Sequence, residues 1–114
     1  MNRYTLEGIV SDAAHGKRVA YIGRRAGKWL GSIRAEARDV YPDRVESVVR
    51  SNGRESVKFV GGGSIHLFAS EAGIRGIAAD VVILDPDASR DDGTVESAQA
   101  AVRACVAGEV IRAD

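Results

Sequence analysis

Cysteine is nearly missing from this chain. Cys105 stands alone among 114 residues, which excludes an internal disulfide and fits a reducing compartment. No apolar run approaches the roughly 20 residues needed to cross a bilayer, and the opening MNRYTLEGIV lacks signal-peptide architecture. A cytoplasmic location with no membrane partner is expected. No Ser/His/Asp or Cys/His set suited to nucleophilic catalysis stands out, and there is no repeat or low-complexity segment. The length predicts one domain, 1–114.

Net charge is also absent, but only in the sum. Residues 1–58 carry twelve Lys/Arg against seven Asp/Glu, a net of +5; residues 59–114 carry four against nine, a net of −5. The basic half is rich in arginine: Arg18, Arg24, Arg25, Arg34, Arg38, Arg44, Arg50 and Arg54. Clustered on one face, these would contact phosphate. The alternative is a solvated surface whose halves complement each other within the fold.

The apolar pattern predicts the elements. Leu6, Ile9, Val10, Ala13 and Ala14 have the i, i+3, i+4, i+7 spacing of a helix over Tyr4–His15, with Thr5 helping to cap it and Gly16 ending it. Val19–Ile22 reads as a short strand. A second helix, from about Gly27 to Val40, puts Trp29, Ile33, Ala37 and Val40 on one stripe and Arg34 and Arg38 on another face. Tyr41-Pro42-Asp43 breaks it. Val45–Arg50, Ser56–Val60 and Ser64–Ala69 read as three strands of an antiparallel meander, with Asn52-Gly53 as the first turn. After a Gly-punctuated loop, Asp80–Leu84 reads as a strand. Its run Val81-Val82-Ile83-Leu84 suits a strand covered on both faces. Pro86–Gly93 reads as a polar loop and Thr94 as the N-cap of a last helix. That helix carries the stripe Val95, Ala98, Val102, Cys105 and Val106, and Glu109–Arg112 is a short final strand. The expected fold class is α/β: a small parallel-core sheet flanked by helices, with an antiparallel hairpin or meander extension. Val19–Ile22 and Val81–Leu84 are its parallel neighbours.

The stretches Arg50-Ser51-Asn52-Gly53, Gly63–Ser70 (GSIHLFAS) and Arg75–Asp85 (RGIAADVVILD) resemble, in order and spacing, the ATPase core of phage terminase large subunits, a branch of the P-loop NTPases. The likeness spans roughly residues 4–88. It implies a P-loop-NTPase-like sheet in which Asp85 matches the Walker B aspartate that holds Mg2+. It also implies what is not matched. The family's Gly-rich Walker A loop immediately precedes the first helix, where this chain has Met1-Asn2-Arg3. Pro86 stands at the position of the water-orienting Glu. Phosphoryl transfer depends on backbone amides, a Lys, a metal and that positioning group. The resemblance therefore implies a truncated, catalytically disabled relative without the family's nuclease domain. Such a phage protein would use the scaffold as an interaction module, with a DNA-packaging or host protein, DNA or a second copy as partner and no cofactor.

Two readings keep chemistry. Gly23, Arg24, Arg25, Gly27 and Lys28 lie between a strand and a helix, the setting of a phosphate loop. The pattern is a residue short of G-x-x-x-x-G-K-S/T and has Trp29 at the hydroxyl position. With Arg75 as a further phosphate contact, and Asp85 and Asp87 as metal ligands, the chain would bind Mg2+ and ATP. Asp85-Pro86-Asp87 also resembles the strand-end D-x-D of haloacid-dehalogenase-like phosphotransferases, with Asp91 and Asp92 behind, but that family opens with this strand. Arg75 would alternatively pair with Asp80 or Asp85. His66 has no companion at ligand spacing, and Cys105 on an apolar stripe reads as an inert buried thiol.

Overall fold

Val81-Val82-Ile83-Leu84 is buried at all four positions, as an unbroken apolar run in a doubly covered strand requires. The computed structural model describes residues 1–51, 55–74, 77–102 and 108–112. In chain order they form α1 (Arg3–Ala14), β1 (Arg18–Ile22), a 3-10 turn (Ala26–Trp29), α2 (Leu30–Val40), β2 (Val45–Val49), β3 (Ser56–Phe59) and β4 (Ser64–Phe68). A second 3-10 turn (Glu71–Ile74), β5 (Val81–Leu84), α3 (Pro86–Ser89), α4 (Asp92–Val102) and β6 (Glu109–Arg112) follow.

The six strands make one sheet in the order β2-β3-β4-β1-β5-β6. β1 runs parallel to both β4 and β5, with Val19 opposite Val81 and Ile22 opposite Leu84. β2, β3 and β4 form the expected antiparallel meander, and β6 adds a parallel edge strand. The Asn52-Gly53 turn lies outside the described residues.

Alternate strand residues divide the core between the two faces. Val19, Tyr21, Val57, Phe59, Ile65, Leu67, Val81 and Ile83 face one side and meet Ile9, Val10 and Ala13 of α1 and Leu30, Ile33 and Ala37 of α2. Ala20, Ile22, Val82 and Leu84 face the other and meet Ile74, Ala88, and Ala98 and Ala101 of α4. Each large side chain so buried contributes about 1.5–3 kcal/mol. Helix α1 lies so close to the start of β4 that a side chain at Gly63 would overlap the Ala13 carbonyl oxygen.

Several local expectations are corrected. Asn2, not Thr5, caps α1: its Oδ1 accepts the Thr5 amide at 2.8 Å. Gly16 ends that helix as expected, with φ of 99°. The Gly27–Val40 helix begins instead as a 3-10 turn. Its buried stripe is Leu30, Ile33 and Ala37, while Trp29 is partly buried and Val40 is exposed. Pro86–Gly93 is not a loop throughout. Pro86 opens α3, because a proline at the first helical position loses no hydrogen bond. Thr94 is buried inside α4, and Asp91 does the capping, with Oδ1 accepting the Gly93 amide at 2.9 Å and the Thr94 amide at 3.3 Å. Arg75, Asn52, Gly53, Arg54, Cys105 and Val106 lie outside the described residues. Among the described residues no helix is long and apolar enough to cross a membrane.

Candidate functional site at the carboxyl ends of the strands

Parallel strands deliver their carboxyl ends to one rim of the sheet, where α/β folds place ligands. Here β1 leads into Gly23, β4 ends at Phe68 and β5 leads into Asp85. The ladder continues one step past β1, since the Gly23 amide donates to Phe68 O and the Asp85 amide to Ile22 O, both at 2.9 Å. Asp85 has extended backbone, φ −61° and ψ 156°, as a residue before proline must.

The side chain of Asp85 is held from below. The Tyr21 hydroxyl donates to Asp85 Oδ2 at 2.8 Å. Tyr21 is fully buried, and its pKa is pushed well above the ordinary tyrosine value of 10.0. Burial is the largest cause, followed by the hydrogen bond to Asp85 and the charges of Asp85 and Asp87. The Trp29 indole N–H works the other way, although it lies outside hydrogen-bonding geometry and is left buried without a partner. Gly23 sits directly against Asp85: a Cβ there would come within 2.6 Å of Asp85 Cβ.

The Gly23–Lys28 segment does lie where sequence reasoning puts it, between β1 and the helix. Four of its amides, however, those of Gly23, Arg24, Ala26 and Lys28, are engaged by the protein's own acceptors. Arg24 N donates to Asp87 Oδ2 at 3.0 Å. Ala26 N donates to Gly23 O at 3.0 Å and Lys28 N to Arg25 O at 3.1 Å. The Glu55 carboxylate covers Gly27 so closely that a Cβ there would lie 2.8 Å from its Oε1. A phosphate loop presents free amides and positive potential to its ligand. This one meets two carboxylates, of Asp87 and Glu55. Arg24, Arg25 and Lys28 are exposed, and the Lys28 ammonium stands 4.7 Å from the Trp29 ring centroid.

A cleft of about 240 Å³ opens beside this segment, walled by Arg24, Ser70, Asp87, Asp91 and Thr94. Ordinary small-molecule pockets hold about 300–1,000 Å³. Of the two proposed metal ligands, Asp85 is bound to the Tyr21 hydroxyl and Asp87 to the Arg24 amide. Among the described residues no group of three or more His, Cys, Asp or Glu side chains converges. Asp80 takes Arg18, accepting from its amide at 2.8 Å and its Nε at 3.3 Å.

Tyr21, Glu55 and Ser70 were not visible as site residues in the sequence. Tyr21 and Asp85 stand 64 positions apart, and no local spacing joins Glu55 to Gly27. Away from the rim, His66 is half-buried and stacks on Phe68, with centroids 6.1 Å apart and planes at 12°. Burial, and then the Lys58 charge, hold its pKa below the ordinary histidine value of 6.5.

No protein-family model and no curated protein matches this sequence. The six-stranded sheet flanked by helices is an α/β fold similar to that of a phage large terminase. One crystal form of the large terminase from a thermophilic bacteriophage aligns over 85% of this chain at TM-score 0.54 and 15% identity. The same terminase in complex with ADP aligns over 85% at TM-score 0.50 and 18% identity. The chain spans about a quarter of that protein's length, 26% and 25%. At such identities the likeness is one of fold.

Proposed function

We propose that this chain is a non-catalytic phage module that uses a terminase-like ATPase scaffold to bind a partner, protein or nucleic acid, in the host cytoplasm. The observation that supports it most is the acid at the loop: Asp87 holds the Arg24 amide and the Glu55 carboxylate lies against Gly27, where a triphosphate would need room and positive potential. The chain has no G-x-x-x-x-G-K-S/T sequence, and Pro86 follows Asp85. On this reading Asp85, bound to the buried Tyr21 hydroxyl and followed by Pro86, is a structural aspartate. The partner belongs to a DNA-packaging machinery or to the host, or is a second copy of the chain.

The test is thermal unfolding with and without Mg-ATP. The melting temperature should not move, because a ligand that does not bind the native state does not stabilise it. A stabilising shift lost in Lys28→Ala, or ATP turnover abolished by Asp85→Asn, would overturn the proposal.

A second reading, a nucleotide binder using Gly23–Lys28 and Asp85, is favoured by the cleft beside Arg24 and Ser70 at the rim. A third, a nucleic-acid contact, is favoured by the arginines of the basic half. It predicts salt-dependent DNA retention weakened by Arg24→Ala and Arg25→Ala.

A further inference from the structure

The sheet order sets the arginines of α2 apart from the carboxylates of α4. β2 and β6 are the two edges. Helix α2 packs on β2 and β3, and α4 on β5 and β6. They also cover opposite faces, since α2 contributes Leu30, Ile33 and Ala37 to one core and α4 contributes Ala98 and Ala101 to the other. Residues 24–58 hold nine Lys/Arg against five Asp/Glu, a net of +4; residues 80–114 hold three against eight, a net of −5. The molecule, 38 Å in its longest dimension, therefore places α2 and α4 at diagonally opposed corners of the sheet.

Each corner presents a pair of like charges at the same spacing. Arg34 and Arg38 stand four residues apart on α2, and Arg50 joins them from the end of β2. The three guanidinium groups are close enough that Arg38, and then Arg50, lower the pKa of Arg34. Glu36 and Asp39 are on the same helix but fall more than 90° around it from Arg34 and Arg38. On α4, Asp92 and Glu96 are exposed at the same i, i+4 spacing, and the described helix carries no Lys or Arg. The ion pairs among the described residues are Arg3–Glu7, Lys17–Asp12 and Arg18–Asp80, and none of them joins Arg34, Arg38, Asp92 or Glu96.

We infer that the partner of this module is a second copy of the same chain, joined head to tail through α2 of one molecule and α4 of the next. With the helices antiparallel, Arg34 meets Glu96 of the second copy and Arg38 meets Asp92, both pairs separated by the same rise of about 6 Å. Arg38 lies in the last turn of α2 and Asp92 in the first turn of α4, so the helix dipoles align favourably as well. Because the two surfaces sit at opposite corners, one molecule cannot offer both to the same neighbour. Each addition leaves a free basic end and a free acidic end, so the assembly is a ring or an open chain and not a two-fold dimer.

The inference rests on the interaction-module reading and fails separately from it: silence with Mg-ATP tests the module, and assembly tests the partner. The experiment is sedimentation velocity on the full chain in about 20 mM and about 500 mM salt. At low salt the average mass should rise with concentration above 12.1 kDa, and at high salt it should return to 12.1 kDa. Two charge reversals, Arg34→Glu with Arg38→Glu and Asp92→Lys with Glu96→Lys, should each remain monomeric at low salt. An equal mixture of the two variants should assemble again, because each supplies the surface the other then fits, and that recovery also shows both to be folded. A wild-type chain monomeric at low salt, variants that assemble alone, or a mixture that does not recover would each overturn it. So would a monomeric chain that instead retains duplex DNA through Arg34 and Arg38.

Discussion

Gly23 and Asp85 touch across the rim of the sheet, with room between them for a hydrogen and no more. A methyl group on Gly23 would come within 2.6 Å of Asp85 Cβ, an atom fixed by the strand and not the end of a flexible side chain. Gly23→Ala should therefore destabilise the fold by about 1–3 kcal/mol, the usual cost of overpacking. Chemical denaturation measures this, and an unchanged midpoint would mean that Asp85 is free to move.

The Tyr21–Asp85 hydrogen bond sets an alkaline limit. Tyr21 titrates above 10.0 in the folded protein and near that value when unfolded. Its contribution is complete below about pH 10 and is lost as the pH rises further, because the unfolded chain releases the proton first. Tyr21→Phe should flatten that alkaline limb. At neutral pH it should cost about 1–3 kcal/mol, since Asp85 loses its donor. Urea denaturation at pH 7 and at a series of alkaline pH values reads both effects.

His66 works in the opposite direction. Its folded pKa lies below the ordinary 6.5, so the unfolded chain takes up the proton first on acidification. Stability from this residue is complete above about pH 6.5 and falls as the pH drops through the folded value. His66→Gln should flatten the melting temperature between pH 7 and pH 5 relative to wild type. An unchanged acid limb would place the titration elsewhere.

Two glycine substitutions should move stability in opposite directions. Gly8 is exposed in the middle of α1 with nothing within 4 Å of the Cβ position, so Gly8→Ala should stabilise by about 0.5–1 kcal/mol. Gly63→Ala would drive a methyl into the Ala13 carbonyl and separate α1 from β4. Its cost should be at least about 1–3 kcal/mol. Thermal unfolding of the pair provides the comparison.

The sheet was largely legible in the sequence because its strands are set by apolar runs that a single segment reveals, such as Val19–Ile22 and Val81–Leu84. Helix ends were less so. In the stretch Asp91-Asp92-Gly93-Thr94, three side chains can cap, and only packing of Thr94 into the core leaves the role to Asp91. Pro86 is as compatible with a helix start as with a loop, and sequence alone does not separate them. At the rim, the segment Gly23–Lys28 and Asp85 were found by position. What they bond to was not, because Tyr21–Asp85 and Arg24–Asp87 join residues 64 and 63 positions apart.

The strand at the middle of the sheet is the first one made. Both flanks of β1 come from much later in the chain, beginning at Ser64 and Val81. A ribosome adding about 5–20 residues per second leaves β1 without its second neighbour for a few seconds to about ten. During that interval the edge of β1 that β5 will pair with stays open, while α1, α2 and β4 gather on its other sides. Yield in cells should thus depend on translation speed and chaperone supply more than the folded protein's modest size suggests.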